Sequence, residues 1–124
     1  MIRNYKPEDL AAIEAMVPGD VGYKMPQLEH PLMLVRKVLV DENDRPRMAV
    51  FGRLHVNALL FVDHGWRGPQ ERLEALKALQ TAAMDEARDR GLDIATTQVD
   101  TRFGARLLEF GWIKGYGEIY FHDL

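Results

Sequence analysis

The stretch from Ala58 to Gly91 constrains the fold of this chain more than any other. It opens on an apolar run, Ala58 to Val62, and passes through Asp63-His64-Gly65-Trp66-Arg67-Gly68 into a long segment of helical periodicity. Over about Gln70 to Arg90, Leu73, Leu76, Leu79 or Gln80, Ala83 and Ala87 share one helical face, while Glu74, Lys77, Thr81, Asp85 and Arg88 share the other. Gly91 suits the left-handed position that closes a helix. A strand that runs straight into a helix leaves unpaired N–H groups and the positive dipole end at the junction, where a phosphate is stabilised. Leu92 to Val99 supplies a second apolar run, so the segment reads as a strand–helix–strand crossover with parallel strands.

The elements on either side are shorter. Ile2 to Tyr5 reads as a strand, followed by a helix over Pro7 to Met16, with Pro7 in its first turn and Glu8 and Asp9 at its positive end. Residues 17 to 31 carry three prolines and two glycines and read as loop. Leu32 to Asp41 and Arg47 to Leu54 form a hairpin across the polar turn Glu42-Asn43-Asp44-Arg45-Pro46. His55 to Asp63 reads as a third strand, with both faces apolar toward its end, as in a central strand covered on both sides. Thr101 to Phe110 reads as a helix that Thr101 caps and Gly111 ends, and Trp112 to Tyr116 with Glu118 to His122 as a closing hairpin. The order is α+β, with a mixed central sheet flanked by helices.

Composition narrows the function classes. With 124 residues, 47% of them hydrophobic and 28% charged, the chain is predicted to be a single domain over residues 1–124. A net charge of −3 argues against nucleic acid as a partner, because neutralising phosphates needs a basic surface. No cysteine is present, so disulfides, thiolate metal sites and a cysteine nucleophile are excluded. The opening MIRNYKPEDL lacks a signal-peptide pattern, and the apolar runs are too short to span a bilayer, so a cytoplasmic protein without membrane contact is expected. His30, His64 and His122 show no ligand spacing, and no metal site is predicted. Exposed edges and apolar loop residues such as Met25 and Leu28 would allow a homodimer.

Three segments, IRNYKPEDLAAI, LLFVDHGWRG and VDTRFGARLLEFGW, resemble in order and spacing the GNAT family of acyl-CoA N-acyltransferases. The first is similar to that family's opening strand and helix, the second to its fourth strand and acyl-CoA loop, and the third to its late strand, helix and Gly-aromatic pair. The resemblance spans nearly the whole chain and implies a GNAT-like sheet, acetyl-CoA as co-substrate and a small-molecule or peptidyl amine as acceptor.

The family's loop has Arg or Gln, two residues, Gly, one residue, then Gly or Ala. Laid on this chain it reads Arg67-Gly68-Pro69-Gln70-Glu71-Arg72, so Gln70 and Arg72 stand where small residues belong. Their side chains crowd backbone that must approach a diphosphate, while Arg67 and Arg72 offer bidentate phosphate contacts instead. The resemblance therefore implies coenzyme contacts from Arg67, Gly68, Gln70 and Arg72. It also implies main-chain contacts to the pantetheine arm from Phe61, Val62 and Asp63.

An ammonium must lose its proton before it attacks a thioester, and many relatives place a glutamate on the fourth strand for this. The corresponding region here, His55-Val56-Asn57, holds no carboxylate, which leaves His55 as candidate base and Asn57 as a residue to orient the acceptor. Each also has a plainer reading, His55 as a polar residue at a strand end and Asn57 as a satisfied buried amide. Leu107 occupies the position of the tyrosine that commonly protonates the leaving thiolate, with Tyr116 and Tyr120 as substitutes on the closing hairpin. The chain therefore reads as an acyl-CoA-dependent N-acetyltransferase. The alternative is a non-catalytic GNAT-fold module for binding or protein interaction that has lost the usual coenzyme contacts.

Overall fold

The computed structural model describes residues 1–19, 25–115 and 117–124, and the chain divides into two compact units, Met1–His55 and Val56–Leu124. Both combine helix with sheet, and the chain is mixed α+β.

In the first unit, β1 (Ile2–Asn4), β2 (Met33–Val40) and β3 (Pro46–Arg53) form an antiparallel sheet in the order β1-β2-β3. The hairpin lies where the sequence places it, with Ile2 opposite Leu39 and Leu39 opposite Met48. Asp41 makes the turn: one carboxylate oxygen accepts from the Asn43 and Arg45 amides at 2.9 and 3.0 Å, and the other accepts from Arg47 Nε at 2.9 Å. The expected helix over 7–16 is a 3-10 turn, Pro7–Asp9, leading into the short α1 (Leu10–Glu14). Ile13, Leu28, Met33, Val38 and Val40 form the core, with Tyr5, Met25, Ala49 and Phe51 packed against it. Leu28 is only 4% exposed, so neither it nor Met25 is the surface residue that a dimer contact would need.

Arg3 ties this unit together. Its guanidinium forks onto both carboxylate oxygens of Asp9 at 2.8 Å, while Nε donates to Asp44 in the hairpin turn at 2.8 Å. Asp9, at 5% exposure, also accepts from the Lys6 amide.

In the second unit, β4 (Val56–Ala58) pairs in parallel with β5 (Ala95–Thr97) across α2 (Pro69–Asp89), the expected crossover. Both strands are shorter than the sequence indicates. β5 gives way to Asp100, which caps α3 (Thr101–Glu109), so pairing ends at Thr97 and Leu59 to Asp63 continue without a partner strand. Leu59 at 74% and Phe61 at 88% exposure are not the covered positions that their apolar character implies.

The inward face of α2 consists of the half-buried Leu73, Leu76, Gln80, Met84 and Ala87; Leu79 and Ala83 lie exposed. Gln80 faces inward because its Oε1 accepts from Trp112 Nε1 at 2.9 Å. Both helices close as expected: Gly91 and Gly111 have φ of 83° and 89°, and Leu92 and Trp112 donate back to Ala87 and Leu107. Thr101 is the first helical residue of α3 rather than its cap, since Asp100 accepts from the Phe103 amide at 2.7 Å. No strand forms among the described residues after Trp112, so the closing hairpin is not observed there; Tyr116 lies outside the described residues, as do 20–24 of the loop.

Candidate functional site

The site is the junction of β4 with α2. Thr97 Oγ1 donates to the Ala58 carbonyl at 2.9 Å and closes the last rung of the parallel pair. Beyond it, Asp63 folds the chain: its Oδ1 accepts from the Gly65 amide at 2.9 Å and its carbonyl accepts from the Trp66 amide at 3.1 Å. Asp63 and His64 are thus loop residues, and the Asp63 carboxylate serves the turn. Phe61, Val62 and Asp63 lie past the end of β4 rather than along it, all exposed.

Arg67 adopts a left-handed φ of 55°, an uncommon conformation for a residue with a Cβ. Four contacts offset that strain. Arg72 Nη1 donates to the Arg67 carbonyl at 2.6 Å and to the Trp66 carbonyl at 3.3 Å. The Arg67 guanidinium lies 4.9 Å from the Trp66 ring centroid and donates to Glu71 Oε2 at 3.1 Å. Trp66 is half-exposed here and acts as a platform for Arg67 rather than as a core residue.

Gly68 is the N-cap of α2, with extended backbone and no side-chain cap, and Pro69 follows at the first helical position. A Cβ on Gly68 would meet nothing within 4 Å, so the backbone at this end of the helix is open to an approaching group. The first intrahelical bond is Arg72 N to Gly68 O at 3.0 Å, which leaves the Gly68, Gln70 and Glu71 amides as the unpaired donors that every helix start presents. Gln70 leans along the helix toward Glu74 at 3.4 Å, away from the cap.

The structure therefore brings Arg67, Gly68, Gln70 and Arg72 together at one helix end. The amides there and the Arg67 guanidinium are donors of the kind a diphosphate needs, and Glu71 is the opposing charge. Arg72 holds the loop instead of reaching outward. Sequence reasoning assigned Arg72 to an anion, and missed that an arginine reaching back across a turn can bond main-chain carbonyls. Thr97 was missed too; a β-branched hydroxyl at the end of a strand is its only signal.

The catalytic candidates are less organised. Asn57 is the middle residue of β4, opposite Thr96, and is exposed rather than buried. His55, the last residue of the first unit, is exposed. Leu107 is the buried residue of α3. Tyr120 is exposed and donates to Glu118 at 2.8 Å. Among the described residues, no cluster of three or more His, Asp or Glu is placed to hold a metal, and no helix is long and apolar enough to cross a membrane. Compared with known proteins, the chain matches no family model, no curated protein and no solved structure.

Proposed function

We propose that this chain is a GNAT-like N-acyltransferase that transfers acetyl from acetyl-CoA to an amine, with the coenzyme held where β4 meets α2. One observation carries the reading. The parallel pair stops at Ala58 and Thr97, and the chain runs on through residues 59–68 into a long helix whose start has no side-chain cap and open space over Gly68. Ligands of open sheets settle beyond the carboxyl ends of parallel strands, and diphosphates settle on helix N-termini.

In this reading the Gly68, Gln70 and Glu71 amides and the Arg67 guanidinium hold the diphosphate, with Arg67 exchanging Glu71 for phosphate. The main chain at Phe61 to Asp63, apart from the Asp63 carbonyl that the Trp66 amide uses, offers donors and acceptors to the pantetheine amides. The amine nitrogen attacks the thioester carbonyl, a C–N bond forms, the C–S bond breaks and the thiolate leaves. His55, next in sequence to β4, is the candidate acceptor of the ammonium proton, and Asn57 the candidate to orient the amine.

The test is release of free thiol from acetyl-CoA in the presence of a panel of small and peptidyl amines. Amine-dependent release that falls at least tenfold in His55→Ala supports acyl transfer with His55 as base. Release no faster than in protein-free buffer contradicts it. The inward use of Arg72 and the Arg67–Glu71 pair favour a second reading, a module of the same architecture that binds another anion or a protein without catalysis.

A further inference from the structure

We draw no further inference here: the strongest candidate, the outward apolar face of the three-stranded sheet formed by Ile2, Leu39, Met48 and Val50, carries nothing because nothing in the structure shows what covers it.

Discussion

Asp9 is the buried charge among the described residues. The Arg3 guanidinium, forked onto its carboxylate, holds its pKa down to about 2, against the desolvation that pushes the other way. A carboxyl whose folded pKa lies below its unfolded value stabilises the fold above the unfolded value, and that contribution is lost as pH falls through the folded one. Stability should therefore decline between about pH 4 and pH 2 and much less steeply in Asp9→Asn, whose stability at neutral pH should already be lower by about 2 kcal/mol. A urea midpoint unchanged by Asp9→Asn at pH 7 would contradict this. Tyr5 is the opposite case. Its hydroxyl is buried with no hydrogen-bond partner among the described residues, its ring meets that of Phe51 edge to face at 5.5 Å between centroids, and burial raises its pKa. Removing an unpaired buried hydroxyl relieves a desolvation cost, so Tyr5→Phe should stabilise the protein by about 1 kcal/mol in the same measurement.

At the scale of the element, the ends of the helices decide more than their interiors. Asp100, not Thr101, meets the free amide of Phe103, so Asp100→Ala should cost about 1 kcal/mol of stability in urea denaturation while Thr101→Ala changes little. Equal losses in the two variants would contradict the capping. Both helix closures at glycine and the hairpin turn over residues 42–46 were legible in the sequence because each is a local arrangement of a few residues; that Asp41, read as the end of a strand, holds the turn was not. The inward face of α2 was legible only in part: periodicity admits Leu79 or Gln80, and the Trp112 bond settles the register in favour of Gln80, while Met84 and not the expected Ala83 turns inward. The length of β4 was not legible. Apolar residues at Leu59 to Val62 state a preference for burial, but strand pairing requires a partner, and β5 ends where Asp100 begins a helix.

Across the whole molecule, burial is uneven. The first unit gathers Ile13, Leu28, Met33, Val38 and Val40 into one core, whereas in the second Leu107 is the buried hydrophobe among the described residues. The loop residues Met25 and Leu28 went unrecognised as core because irregular segments carry no periodicity to mark an inward face. The crossover and its loop were legible, since a strand, an Arg-Gly turn and an amphipathic helix follow one another in sequence. How the arginines are used was not, because Arg72 reaches back to carbonyls that no pattern identifies. The same loop carries the proposed function. Calorimetric titration with acetyl-CoA asks directly whether the uncapped start of α2 holds a diphosphate. Saturable binding in the micromolar range, weakened about tenfold or more in Arg67→Ala, is the predicted result, and no detectable heat at millimolar coenzyme would contradict it.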